Sequence, residues 1–152
     1  MRILALDPAT VTGWASWHVD DGVESGREDF SVHKEGHVGR LWIAIDEWLH
    51  EMIRRHRPDI VVQETPIVQG SARIPFGFMT LCQRACAMRD VEWCSVHPST
   101  LKKWATGSGR AKKEDMIREA RRRWPRAGVW NDNEADARLM AEWAAANPTE
   151  ED

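Results

Sequence analysis

The chain has no tyrosine, three phenylalanines and three cysteines. It also has no apolar run near the roughly 20 residues that a membrane-spanning helix requires. A transmembrane protein is therefore not expected. Three cysteines in no repeating framework exclude a disulfide-stapled secreted scaffold and suit a reducing cytoplasm. The opening stretch Met1 to Ala15 is interrupted at Asp7 before any small-residue cleavage pattern, so it does not read as a secretory signal. Nine tryptophans carry most of the aromatic content, a choice that composition does not explain.

What is present describes one globular domain. The 152 residues are 42% hydrophobic and 30% charged, enough to bury a core and too apolar for disorder. A single domain is expected over residues 1–146, followed by an acidic tail at 147–152.

A net charge of −3 would argue against a polyanionic partner if it were spread evenly. It is not. Residues 98–126 hold ten Lys or Arg against three Asp or Glu, while the rest of the chain holds eleven against twenty-one. Such polarity suits a basic face aimed at a polyanion, with acidic residues elsewhere or gathered in a site. A solvated basic helix would give the same count.

Hydrophobic patterning predicts an α/β domain. Arg2–Leu6 reads as a strand ending at Asp7, and Thr12–Val19 as a second after turn signals at Pro8 and Gly13. A third strand is placed around Arg27–Val32. From about Gly36 the period changes: Leu41, Ile45, Trp48, Leu49 and Met52 share a helix face that ends before Pro58. Ile60-Val61-Val62 reads as a buried central strand, and Val91–Val96 as another. Helices are expected near Phe76–Met88, Ser99–Trp104, Ala111–Trp124 and Asn131–Ala146. Strands that cluster first and then alternate with helices predict a mixed sheet covered by helices.

Three carboxylates stand in unusual places. Asp7 ends the first apolar strand, Glu64 follows the buried run at 60–62, and Asp136 lies early in an Ala-rich helix. On that helix Asp132 and Asn133 share a face with Asp136. An unpaired buried charge is costly, and converging carboxylates repel unless a cation lies between them. Oxygen-only ligands suit Mg²⁺ or Mn²⁺. Two such ions can activate water and orient a phosphodiester, which is nuclease chemistry. A structural account also stands: Asp7 opens a turn, Glu64 pairs with a surface arginine, and Asp132 caps the last helix. Spacing alone leaves both open.

As a set, these pieces resemble the RuvC family of Holliday-junction resolvases, in the RNase H-like fold, and most of all its phage-type members. The matching segments are Ile3 to Ala15 around Asp7, then Ile60 to Glu64, His97-Pro98, Lys102 to Lys113, and Asp132 to Asp136, in that order. The resemblance implies a metal-dependent endonuclease that resolves four-way or other branched DNA, leaving 5′-phosphate and 3′-hydroxyl ends. By it, Asp7, Glu64 and Asp136 bind metal, as two Mg²⁺ or Mn²⁺ ions per active site. The family usually has an acidic residue or His three positions before the last Asp, where this chain has Asn133. Asp132, one residue earlier, is taken as the fourth ligand, with Asn133 in reserve.

Lys102 and Lys113 match two basic residues of the family near the scissile phosphate. Their implied role is charge stabilisation, with Lys112 as an alternative to Lys113 and Arg110 on the DNA backbone. Lys103 is read as solvated. The resemblance also implies a homodimer, packed through the helix at Phe76–Met88, working in the cytoplasm on nucleoid or phage DNA in recombination and repair.

Other constellations fit less well. Cys82, Cys86, Cys94 and His97 could be drawn as a zinc set, but two cysteines inside an apolar helix suit buried free thiols. No histidine neighbours a nucleophile in a triad pattern, and His97 reads as a turn residue. Gly107-Ser108-Gly109 lacks the ending of a phosphate-binding P-loop. Arg54–Arg57 and Arg121–Arg126 each end a helix, where cations are favoured, and the second cluster also has a claim on DNA. Rival readings are a nuclease for flaps or RNA–DNA hybrids, and a junction-binding module without catalysis. Residues 7–13 are also similar to the phosphate loop of actin-like kinases, but those enzymes need two lobes.

Overall fold

The most apolar run near the start of the chain forms the middle of the sheet. In the computed structural model, which describes residues 1–33, 35–67, 72–128 and 131–148, β1 (Arg2–Asp7) is flanked on both sides. It pairs antiparallel with β2 (Val11–His18) and parallel with β4 (Ile60–Glu64). β3 (Gly22–Asp29) closes one edge against β2, and β5 (Glu92–Val96) closes the other, parallel to β4. The order β3-β2-β1-β4-β5 is the mixed sheet the patterning predicts. Among the described residues no helix is long and apolar enough to cross a membrane.

Helices cover both faces. α1 (Gly39–His56) and α2 (Arg73–Met88) lie on one, where Leu4, Leu6 and Val61 meet Ile45, Leu49, Phe78 and Cys82. Cys82 and Cys86 are buried in this layer. On the other face lie α3 (Pro98–Thr106), α4 (Lys113–Arg123) and α5 (Asp132–Ala146), with Ile3, Ala5, Ile60 and Val62 against Leu101, Met116 and Leu139. Several tryptophans serve these layers: Trp48 packs edge-on to Phe30, and Trp14 tilts against His56.

One element departs from the prediction. The third strand begins at Gly22 rather than Arg27 and ends at Asp29, and Ser31–His33 forms a single 3₁₀ turn. Gly22 has φ +78°, which lets the chain reverse at once so that Gly22 already pairs with His18. The strand is polar, Gly-Val-Glu-Ser-Gly-Arg-Glu-Asp, because it is an edge with little to bury. Its hydrophobic signal was correspondingly weak.

Candidate active site

Side chains alternate across a strand, and this decides which face each strand-end carboxylate joins. Along β1, Leu4 and Leu6 face α1 and α2, while Ile3 and Ala5 face α5. Asp7 continues the second set. Along β4, Ile60 and Val62 face α5, and Glu64 continues that set. Leu6 pairs with Gln63 in the parallel ladder, so Asp7 and Glu64 are the next residues outward on adjacent strands. A cleft of about 210 Å³ opens beside them, walled by Pro8, Thr65, Pro66, Ile67 and Pro75.

The N-terminus of α5 supplies the other carboxylates. Asn131 caps this helix, its side chain accepting from the Glu134 amide at 2.9 Å, so the cap is not Asp132. The Asn133 side-chain amide donates to the Val11 carbonyl at 2.9 Å. The same residue's backbone lies so close to Gly13 that a Cβ there would collide with its carbonyl. Glu134 accepts from the Ser25 hydroxyl at 2.6 Å, and Arg138 donates to that same hydroxyl from a place over the Trp124 ring. These contacts lay α5 across β1 and β2 and turn Asp132 and Asp136 towards Asp7.

Charge coupling among these groups is strong. Burial pushes the Asp7 carboxyl well above the usual range, and the charges of Glu64, Asp136 and Asp132 add to the effect. Burial, followed by Glu64 and Asp132, raises Asp136 from 3.8 to about 7. Glu64 is raised by burial, with Lys102 opposing. Oδ1 of Asp136 is buried without a hydrogen-bond partner among the described residues. Among the described residues, no three carboxylate, histidine or thiol groups are drawn together tightly enough to grip an ion as they stand. Glu64 has no arginine partner among them either.

Two lysines divide this charge. Lys113, the first residue of α4, places Nζ 2.7 Å from Asp132 Oδ2. That contact holds Asp132 below the usual carboxylate range. Lys102 on α3 acts on Glu64 and, together with Lys113, on Asp136. Lys112 caps α4 through its backbone amide, which donates to Asp115 at 2.9 Å, leaving its side chain exposed. Lys112, Arg110 and Arg118 line a groove of about 380 Å³ with Thr106 and Ser108. Lys103 is exposed, and His97 caps α3 by accepting from the Ser99 amide at 3.2 Å.

Two arginines of the cluster at the end of α4 are committed to ion pairs, which removes part of its expected claim on DNA. Arg122 and Arg123 both pair with Glu119 at 2.7 Å, and Arg123 also reaches Glu142 and stacks over Trp104. A larger cavity of about 550 Å³, lined by Asp59, Glu92, Cys94 and Trp143, lies at the opposite end of the sheet from Asp7 and Glu64.

No protein-family model matches the chain. The crossover junction endodeoxyribonuclease RuvC of Oleidesulfovibrio alaskensis is 30% identical over 147 residues, spanning 93% of this chain and 88% of that protein. The chain belongs to the RuvC family. Solved structures agree on the fold. Thermus thermophilus RuvC superposes with a TM-score of 0.74 at 18% identity, over 96% of each chain. The Fowlpox virus resolvase, solved with its substrate Holliday junction DNA, superposes at 0.56 and 9% identity, over 99% of this chain and 100% of that one.

Against the RuvC pattern, the position three before Asp136 is occupied by a tether. Asn133 spends its amide on the β1–β2 hairpin, and Asp132 is the α5 carboxylate that shares charge with Asp7 and Asp136. Local sequence held no signal for the Asn133 tether or the Ser25–Glu134–Arg138 chain, because their partners lie more than 100 residues apart. In α2, Phe78, Cys82, Ala85 and Cys86 point into the core, whereas Phe76 and Met88 are 38% and 62% exposed.

Proposed function

We propose that this RuvC-family protein is a divalent-cation-dependent endonuclease that cuts Holliday junctions, leaving 5′-phosphate and 3′-hydroxyl ends. One observation carries the reading. Asp7, Glu64 and Asp136 converge from two strand ends and a helix, coupled in charge, with Lys102 and Lys113 acting on the same cluster.

The donor set fits a hard cation. The carboxylates offer only oxygen, their ionisation is disfavoured by burial and by one another, and an Asp136 oxygen lacks a hydrogen-bond partner among the described residues. Asp7, Glu64, Asp136 and Asp132 would hold Mg²⁺ or Mn²⁺, as one ion or two. Bound there, the metal would supply the acidity that readies water for in-line attack and the charge that offsets the leaving oxygen.

The chain's own residues do the rest. Lys102 and Lys113 bring point charges to the phosphate as negative charge builds on it. Arg110 and Lys112, exposed beside the groove at the α3–α4 turn, hold the DNA backbone. Gly13 and Asn133 keep α5 at the height that brings Asp136 to Asp7.

The exposed Phe76 and Met88 on α2 support a homodimer packed through that helix, which would pair two sites on a symmetric junction. The likeness of residues 3–15, 60–64, 97–98, 102–113 and 132–136, taken together, to phage-type members supports a place in that branch, acting on DNA in the cytoplasm. The test is cleavage of a labelled four-way junction beside matched duplex, flap and RNA–DNA hybrid, with Mg²⁺, Mn²⁺ or EDTA. Paired nicks in the junction, absent in EDTA and absent in Asp7→Asn that still binds, are expected. Cutting of hybrid or flap alone would overturn the junction assignment.

A further inference from the structure

The first turns of α5 carry several polar side chains, and most are already spent. Asn131 caps the helix, Asn133 holds the Val11 carbonyl, and Glu134 takes the Ser25 hydroxyl. Asp132 differs, because its partner is a lysine that can leave. Lys113 Nζ lies 2.7 Å from Asp132 Oδ2, with the lysine side chain 77% exposed and the aspartate 29%. One end of the pair is set in the carboxylate cluster and the other is free to swing through solvent on a flexible four-carbon stem. The Lys113 charge also bears on Asp7 and Asp136, so the ammonium stands where a positive charge is wanted.

Each partner has a stronger suitor. A DNA phosphate competes for Lys113, and a divalent cation competes for Asp132. We propose that the Lys113–Asp132 pair is an exchangeable contact that couples DNA binding to divalent-cation binding. Without DNA, the Lys113 ammonium serves as counter-ion to Asp132 and weakens any cation held through that carboxylate. An entering phosphate draws Lys113 away and frees Asp132. Linkage makes the effect reciprocal: a cation on Asp132 releases Lys113 towards DNA. The full cation complement is thereby favoured more strongly when a phosphate is present. The inference rests on the nuclease reading above but concerns binding equilibria alone. An exposed lysine–carboxylate pair shifts such an equilibrium by about two- to fivefold, which sets the effect to look for.

Two binding measurements on the intact protein test it, neither requiring cleavage. In EDTA, fluorescence anisotropy with a four-way junction should show Asp132→Asn binding about two- to fivefold tighter than wild type. Lys113→Gln should bind more weakly, and the double variant should match Lys113→Gln, because no lysine remains to be released. Without DNA, free Mn²⁺ counted by electron paramagnetic resonance should show Lys113→Gln binding its weakest Mn²⁺ more tightly and Asp132→Asn losing it. Lys113→Arg keeps the charge and should stay near wild type in the Mn²⁺ measurement.

Either of two results overturns the coupling. One is an Asp132→Asn gain in DNA affinity that is the same with and without Lys113, the mark of a long-range charge effect. The other is Mn²⁺ affinity unchanged in Lys113→Gln. Circular-dichroism melts establish that each variant is folded; Lys113 is exposed and Asp132 half-buried, each at a helix start. A wild type that binds flap or hybrid in place of the junction would sink the substrate reading, and the same measurements on that DNA would then decide the coupling.

Discussion

The Asn133 side-chain amide donates to the Val11 carbonyl across 2.9 Å, while the backbone of the same residue rests against Gly13. The helix bearing Asp132 and Asp136 is thus seated on the hairpin that follows Asp7. Gly13 is required by this close approach, since its strand geometry would accept any residue. In Gly13→Ala the new Cβ meets helix backbone, which cannot rotate aside, so α5 must lift and carry Asp136 with it. The expected cost is about 1–3 kcal/mol in urea unfolding. Cleavage should fall much further than DNA binding does. Unchanged cleavage at wild-type stability would show that α5 tolerates the shift.

Asp136 predicts an unusual pH dependence. Its folded pKa, about 7, lies above the ordinary 3.8, so the folded state holds this proton more tightly than the unfolded chain does. The resulting penalty is absent at low pH, grows between those two values and is complete above them. Without divalent cation, the Tm should therefore fall as pH is raised from 5 to 8. Asp136→Asn should recover on the order of 1–3 kcal/mol at pH 8 while abolishing cleavage. Added Mg²⁺ should narrow the difference by stabilising only the wild type. Parallel pH profiles for variant and wild type would show that Asp136 is not the group responsible.

Lys102 acts on Glu64 and Asp136 but forms no ion pair with either among the described residues. It is therefore available to a phosphate without first giving up a partner, unlike Lys113. Lys102→Ala should slow single-turnover cleavage roughly a hundredfold, as loss of one transition-state charge contact does. Junction affinity should change only a few fold. Equal losses in rate and affinity would make Lys102 a simple backbone anchor.

Phe76 and Met88 are exposed apolar residues on α2, whose inner face is already filled by Phe78, Cys82 and Cys86. A charge at either exposed position should spare the fold and oppose self-association. On the proposed homodimer, wild type should sediment as a dimer, whereas Phe76→Glu and Met88→Glu should sediment as monomers and turn paired nicks in a junction into single ones. A variant that remains dimeric at low micromolar concentration would move the interface to another face.

Much of the site was legible in the chain because strand and helix periods are local. Two apolar strands ended by Asp7 and Glu64, and an Ala-rich helix carrying Asp132 and Asp136 at helical spacing, are patterns that neighbouring residues generate by themselves. That both strand-end carboxylates face α5 was decided by strand register and by the helices packed on each face, since both strands are apolar throughout. What local pattern cannot carry is the choice among partners distant in sequence. Whether Asn133 or Asp132 turns to the cluster depended on a carbonyl at Val11, 122 residues away. Lys113 met Asp132 because α4 packs against α5, and Arg123 was lost to DNA because Glu119, Glu142 and Trp104 enclose it. The sequence by itself determined the strands, the helices and the residue types that can do the chemistry. Only the tertiary structure decided which charges meet, because the energy of a charge depends on burial and on neighbours that folding alone brings close.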